Sequence, residues 1–174
     1  MSLKIAFAFL VLIAVILVLA ARRPDSFEVQ RSVSIRATPE KVFPLLNDLH
    51  RWADWNPQAR LPSVQIRYSG SPSGVGAMAD WEGPGQAGKA HLTVTESSPS
   101  ARITVNGDWE RPFRTRNQNQ FVLTPFANGT TVTYTLHGTA VFPMKVMSLF
   151  TGFDRMIGPH LAEGLGKLKQ LAES

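Results

Sequence analysis

Large aromatic side chains are the residues of this sequence with the clearest capacity to bind another molecule. The chain contains four tryptophans, and Trp55, Trp81 and Trp109 lie at the ends of helix-like or strand-like segments. An indole combines an extended apolar surface with one N–H donor, so it can contact an apolar ligand and orient it. We predict Trp55, Trp81 and Trp109 as ligand-contacting residues, with packing in the core as the alternative for each.

Tyr134 and His137 are the candidates for polar contacts with such a ligand. Tyr134 lies within a strand-like segment and could offer its hydroxyl group, and His137 is the best acid–base candidate among the four histidines. The histidines lack metalloprotease spacing, and the chain has no cysteine that could act as a nucleophile or metal ligand. The sequence therefore predicts no metal site, no cofactor and no catalytic residue.

A flexible apolar surface is predicted near the C-terminus, where Met147, Phe150 and Phe153 follow one another at helical spacing. Methionine side chains adapt to irregular apolar shapes, so a helix of this composition could form one wall of a binding cavity. Ordinary core packing is the alternative interpretation.

The segment Gly83–Gly88 matches the spacing G-x-G-x-x-G literally. A dinucleotide site needs this motif between a strand and the N-terminus of a helix. Here a strand-like stretch follows at Lys89, so the segment is interpreted as a hairpin loop.

The charge balance favours anionic partners without requiring one. The 174-residue chain has a formal net charge of +5, which suits lipid head groups or simply solubility. Long blocks of like charge are missing and arginine rarely alternates with aromatic residues, so nucleic-acid binding is not predicted. No pattern indicates an oligomeric state.

An unbroken apolar run from Ile5 to Ala21 is flanked by Lys4 and Arg22. As a helix it would be about 26 Å long, close to the thickness of a bilayer's hydrocarbon core. We predict an N-terminal transmembrane anchor over residues 1–23 and a short linker over residues 24–26. A cleaved signal peptide is the alternative.

The positive-inside rule favours a single-pass membrane protein whose soluble domain is cytoplasmic, because Arg22 and Arg23 follow the apolar run. A conventional signal-anchor would place the domain on the opposite side.

The soluble part begins with a strand and two short helices. Apolar residues alternate from Phe27 to Ile35, with Arg31 as the one polar residue on that face. Pro39 can occupy the first turn of a helix, and a second short helix is predicted over Asp48–Trp55.

Six further strand-like segments follow, and a long amphipathic helix ends the chain. The strands are separated by turn residues such as Asn128-Gly129. The helix begins near Val146, and a kink is predicted at Gly158-Pro159. The fold class is therefore α+β, with a curved antiparallel sheet of about seven strands that grips the long C-terminal helix.

This order of elements resembles the START-like, helix-grip superfamily, specifically its polyketide cyclase/dehydrase-type branch. The segments that carry the resemblance are Ser34–Phe43, Asn47-Asp48 with Trp52–Pro57, Gly129–Thr135 before Gly138, and Ile157–Pro159 with Glu163–Leu165 and Leu168-Lys169. The resemblance covers residues 27–174 as one domain. It implies a hydrophobic cavity between sheet and helix, but no particular reaction.

The sequence therefore predicts a membrane-anchored domain that binds a small hydrophobic or amphipathic, lipid-like molecule. One alternative is a regulatory module that binds a protein partner and has a filled core. The other is an enzyme of the cyclase/dehydratase kind, in which groups such as His137 and Tyr134 would converge inside the cavity.

Overall fold

The computed structural model describes residues 2–174, so Met1 of the predicted anchor lies outside the described residues. The apolar run forms helix α1 (Ser2–Ala21). Its side chains are apolar on every face and mostly exposed. By length and composition this helix could cross a membrane, and a signal sequence would share both properties.

Strand β1 (Ser26–Ile35) is followed by two short helices, as predicted. Helix α2 (Pro39–Asn47) has Pro39 in its first turn, where a missing N–H leaves no helical bond unmade. A 3₁₀ turn over Leu49–Arg51 then leads into α3 (Trp52–Trp55).

The remaining strands complete one antiparallel sheet with the order β1-β7-β6-β5-β4-β3-β2. Their bounds are β2 (Gln65–Gly70), β3 (Ala77–Glu82), β4 (Lys89–Ser98), β5 (Arg102–Arg111), β6 (Thr115–Phe126) and β7 (Gly129–Thr139). The sheet is curved, so its two faces differ in their surroundings. The Gly83–Gly88 segment joins β3 to β4, which agrees with the hairpin interpretation.

The C-terminal region forms two helices, α4 (Phe142–Thr151) and α5 (Phe153–Glu173). Helix α5 is continuous through Gly158-Pro159, with Pro159 inside the helix. The break lies instead at Gly152, whose φ of 74° is in the left-handed region that glycine adopts readily.

Helix α5 covers the inner face of the sheet and lies mainly over β1. Arg31, the polar residue on the apolar face of β1, reaches the first turn of this helix. Its guanidinium donates two hydrogen bonds to Asp154, at 2.7 and 2.9 Å. This pair explains how a charged residue fits the alternation of β1, because the charge is neutralised at the helix N-terminus.

One end of the space between sheet and helix is filled by close packing. We call it the packed end and define it by Ile35, Leu46, Phe121, Leu165 and Leu168, all of which are fully buried. The ring of Phe121 meets the indoles of Trp52 and Trp55 edge-on, with centroids 5.8 Å away in each case. Such contacts make this end the main source of fold stability.

Candidate functional site

A cavity of about 390 Å³ occupies the other end, where β1 begins and β7 ends. We call it the open end. Its walls come from β1, from the inner faces of β3 to β7, from the β5–β6 loop, from α3 and from one side of α4 and α5. Apolar members of the wall include Phe27, Trp52, Trp55, Trp81, Leu92, Trp109, Phe113, Leu136, Met144, Met147, Met156, Ile157 and Leu161.

Five of the eight residues predicted to contact a ligand lie in this wall. They are Trp55, Trp81, Trp109, Tyr134 and Met147. Strand alternation places Trp81, Trp109 and Tyr134 on the inner face of the sheet.

The other three predicted residues lie outside the wall. His137 is on the outer face of β7, where its Nδ1 lies 3.3 Å from Glu28 Oε2. Its position follows from the alternation that turns Tyr134 and Leu136 inward. Phe153 instead stacks on Phe27, with ring centroids 4.6 Å apart.

Phe150 is the third of these residues and lies on α4 with 70% of its surface exposed. The break at Gly152 explains this placement, because it gives α4 a direction independent of α5. A single long helix would have carried Phe150 onto the sheet together with Phe153.

Three of the four indole N–H groups are bonded to the backbone. Trp52 and Trp55 donate to the carbonyls of Leu46 and Leu45 at 2.9 Å. Trp81 donates to the carbonyl of Ala87 at 3.0 Å. These bonds fix the orientation of the three rings, and Trp55 and Trp81 present apolar surface to the cavity.

Trp109 differs from the other tryptophans. Its Nε1 is buried, and within residues 2–174 it has no hydrogen-bond partner. Buried donors are nearly always paired, so an unpaired indole in a cavity wall is unusual.

A polar group lies deeper in the wall, around Tyr134. The Tyr134 hydroxyl donates to Asn119 Oδ1 at 2.6 Å, and Asn119 Nδ2 donates to the carbonyl of Val105 at 3.4 Å. Burial raises the pKa of Tyr134 far above its usual value, so the phenol is neutral and acts as a donor at physiological pH. The Tyr134 ring also stacks on Phe121, with centroids 4.3 Å apart.

Asn117 and Asn119 are wall residues that sequence reasoning missed. They lie in the polar stretch Arg116–Gln120, which carries no apolar alternation of its own. The signal was available farther along β6, because Phe121 and Leu123 are inward-facing. Counting back by two from Phe121 places Asn119 and Asn117 on the same face.

The family profile described as polyketide cyclase/dehydrase and lipid transport matches residues 26–173. This chain belongs to that family. None of the curated protein sequences matches it significantly.

Solved structures with the same fold are distant in sequence. The di-domain ARO/CYC protein BexL from the BE-7585A biosynthetic pathway is 16% identical, with a TM-score of 0.64 over 90% of this chain and 53% of that chain. A protein from Thermus thermophilus is 19% identical, with a TM-score of 0.62 over 84% of this chain and 97% of that one. The Aha1 dimer from Colwellia psychrerythraea is 19% identical, with a TM-score of 0.58 over 84% and 96%.

Two polar side chains of this polyketide cyclase/dehydrase-family domain, Arg116 and His160, lie at the rim of the cavity. Arg116 is an exposed wall residue whose Nε donates to Asp108 at 2.9 Å, and His160 is exposed on α5. Among the wall residues within 2–174 there is no carboxylate. The described residues also contain no cluster of three or more histidine, aspartate or glutamate side chains that could hold a metal ion.

The opening of the cavity lies beside α4. Met147 of α4 and Pro112 of the β5–β6 loop line the cavity and are also exposed, which marks them as part of its mouth. Helix α1 packs against α4, where Ala20 is fully buried and Ile16 is half-buried.

The segment that joins α1 to β1 is bonded to the same region. The Asp25 carboxylate forms an ion pair with Lys145, whose side chain is largely buried in α4. The Asp25 carbonyl accepts a hydrogen bond from the Ala140 N–H at 2.8 Å. The N-terminal helix is therefore held next to the mouth of the cavity.

Proposed function

We propose that this chain is a membrane-anchored binding domain that holds one small hydrophobic or amphipathic, lipid-like molecule between the sheet and α5. The observation that carries the proposal is the 390 Å³ cavity with its largely aromatic and methionine-rich wall. Its volume lies within the range of roughly 300–1,000 Å³ that is typical of small-molecule sites. Trp55, Trp81, Trp109, Tyr134 and Met147 are proposed to contact the ligand.

The contact between α1 and α4 supports a membrane source for this ligand. Phe142, Met147 and Phe150 lie on one face of α4, and they are 43%, 49% and 70% exposed. An exposed apolar helix face beside a membrane-spanning segment suits the interface between lipid head groups and acyl chains. In this arrangement the ligand passes between the bilayer and the cavity along α4, which gives Phe150 a role outside the wall.

The cavity favours ligand binding over the two alternative functions. A partner-binding module was expected to have a filled core. A cyclase or dehydratase was expected to bring His137 and Tyr134 together inside, yet the sheet separates these two side chains.

Photo-crosslinking of the full-length chain in nanodiscs tests the proposal. The probe is a fatty alcohol with a diazirine in its chain, and labelled peptides are mapped by mass spectrometry. We expect labelling of the peptides that contain Trp81, Trp109 and Tyr134, in addition to labelling of α1 by bulk lipid. Labelling confined to α1 and α4 would contradict a lipid-accessible cavity.

Two leucine-to-tryptophan variants make this test specific. Leu136 is a buried wall residue, so Leu136→Trp should fill the cavity and remove the labelling of the sheet peptides. Leu61 is exposed and lies outside the wall, so Leu61→Trp is the matched control and should label as the wild type does. Met147→Trp, at the exposed mouth, provides a second blocking variant that leaves the core unchanged.

We also propose that the domain lies on the cytoplasmic side, as Arg22 and Arg23 favour. Because the chain has no cysteine, a single Ser174→Cys substitution gives a unique label site. In intact cells we expect protection from a membrane-impermeant maleimide and labelling after lysis. Labelling of intact cells would place the domain outside.

A further inference from the structure

Two buried polar atoms at the open end lack partners within residues 2–174. One is the donor Trp109 Nε1, and the other is the acceptor Asn117 Oδ1. Both residues belong to the cavity wall. Among the described residues, all other buried side-chain polar atoms have a hydrogen-bond partner. They include those of Asn119 and Tyr134, deeper in the same wall.

The two atoms converge on the same place, above Gly107. Gly107 of β5 is paired with Asn117 of β6. A side chain at Gly107 would overlap Asn117 Oδ1, and its Cβ would lie 3.2 Å from Trp109 Nε1. The missing side chain at Gly107 leaves room that the Asn117 amide oxygen itself enters. We call this place the notch, and one unpaired acceptor and one unpaired donor meet there.

Both polar atoms are buried, so a ligand reaches the notch only when one of the two side chains changes its rotamer. Asn117 and Trp109 are half-buried as residues and line the cavity, so a change of rotamer at either one would turn its polar atom toward the cavity.

We propose that this notch is the polar subsite of the cavity and that it selects a neutral hydroxyl group on an otherwise apolar ligand. The ligand O–H donates to Asn117 Oδ1, and its oxygen accepts from the Trp109 N–H. A hydroxyl is the smallest group that satisfies both atoms at once. This inference rests on the proposed binding function and names the ligand class as an apolar alcohol.

Other head groups fit the notch less well. An ether oxygen accepts from Trp109 but leaves Asn117 Oδ1 without a donor. A carboxylate only accepts, so it would place negative charge against Asn117 Oδ1. Buried polar atoms that stay unpaired weaken binding, which is the basis of discrimination between these groups.

The test compares three probes of equal chain length, decan-1-ol, decyl methyl ether and decanoate, on the full-length protein in nanodiscs. Each probe competes with the diazirine alcohol for labelling of the sheet peptides. Partition of a probe into the nanodisc is the same for every variant, so ratios between variants report on the protein. Relative to Asn117→Leu, the wild type should prefer decan-1-ol over the ether by roughly threefold to tenfold, the range for one hydrogen bond.

Four variants test which residues cause the preference for the alcohol. Asn117→Leu should abolish the preference for the alcohol, and Trp109→Phe should weaken alcohol and ether alike by roughly threefold to tenfold. Gly107→Ala should fill the notch and weaken the alcohol most. Asn128→Leu is the matched control for Asn117→Leu, because Asn128 is exposed in the turn between β6 and β7 and lies outside the cavity wall, and it should retain the wild-type ratio.

The outcomes separate this inference from the proposed function. If all three probes compete equally in the wild type and in Asn117→Leu, the cavity binds ligands and the hydroxyl subsite is refuted. A wild-type preference for decanoate would also refute it, because the site would then present two donors. If no probe competes and the sheet peptides are never labelled, the proposed binding function fails as well.

Discussion

The packed end and the open end are built from the same two layers, the inner face of the sheet and helix α5, yet only one of them is filled. At the packed end β6 contributes Phe121 and Leu123, which are both buried, and Phe121 packs against the two indoles of α3. Four residues earlier, the same face of the same strand presents Asn117 and Asn119. The change from aromatic and aliphatic side chains to short amides leaves space that α5 does not fill.

The helical side changes in the same direction. Toward its C-terminus α5 contributes Leu165 and Leu168, which are fully buried. Near its N-terminus it contributes Met156 and Ile157, which are only half-buried. Close packing at one end therefore stabilises the fold, and the other end keeps the space that the proposed ligand would occupy.

The largest contrast is expected from truncating side chains at the two ends. Phe121→Ala should lower the free energy of unfolding by about 3–5 kcal/mol, because it removes a fully buried ring. Met156→Ala should lower it by about 1 kcal/mol or less, because that side chain borders empty space. Urea unfolding of the full-length chain in detergent micelles, followed by circular dichroism, measures both. Equal losses would contradict the division into two ends.

Enlarging side chains should give the second contrast. Leu123→Trp at the packed end should cost about 1–3 kcal/mol through overpacking. Leu136→Trp makes the same change on the neighbouring strand β7 in the cavity wall, where the larger ring has space, and it should cost less than about 1 kcal/mol. The same urea unfolding measurement compares the two variants. A larger loss of unfolding free energy for Leu136→Trp than for Leu123→Trp would show that the cavity cannot accept added volume.

A smaller contrast is expected within α5, from the same substitution at two glycines. Gly166→Ala should raise the free energy of unfolding by up to about 1 kcal/mol, because alanine favours helix and no atom lies within 4 Å of the new methyl group. Gly158→Ala should not give this gain, since its methyl group would overlap the Arg31 guanidinium. In the Arg31→Gln background the two substitutions should change the free energy of unfolding by more similar amounts. A full gain from Gly158→Ala with Arg31 present would contradict the close contact.

The smallest effect concerns the Arg31–Asp154 pair where α5 begins. The hydrogen bonds from Arg31 lower the pKa of Asp154 below its ordinary value of 3.8. The pair therefore stabilises the fold at pH values above 3.8 and loses its effect as the pH falls through the lower folded-state pKa. Asp154→Asn should be less stable than the wild type at pH 7, and the difference in melting temperature should shrink as the pH falls below 3.8. A difference that is independent of pH would assign the loss to something other than charge.

The fold could be predicted largely from the sequence because its patterns are local. Alternation along β1, the proline at the start of α2 and the turn at Asn128-Gly129 each fix one element by short-range chemistry. The break at Gly152 was not predicted, because Gly158-Pro159 is a stronger helix-breaking pair by propensity than a single glycine. In the structure Gly158 lies within α5, and its missing side chain allows the Arg31 guanidinium to pass beneath the helix.

The candidate site could be predicted only in part, because its key features depend on pairing between strands. Aromatic residues such as Trp109 indicated an apolar wall. The sequence does not show that Trp81 finds a carbonyl partner whereas Trp109 does not, nor that Gly107 lies opposite Asn117. The sequence also does not decide which face of the sheet carries His137, because the register of β7 is not known from it and a shift of one residue reverses every side chain.

Native mass spectrometry of the full-length chain released from nanodiscs tests the central claim most directly, with Leu136→Trp and Leu61→Trp as companions. After loosely attached lipid is removed, we expect the wild type and Leu61→Trp each to retain one tightly bound lipophilic molecule per chain. We expect Leu136→Trp to retain none. A wild-type chain that emerges bare, or an adduct that persists in a folded Leu136→Trp variant, would contradict a ligand held at the open end.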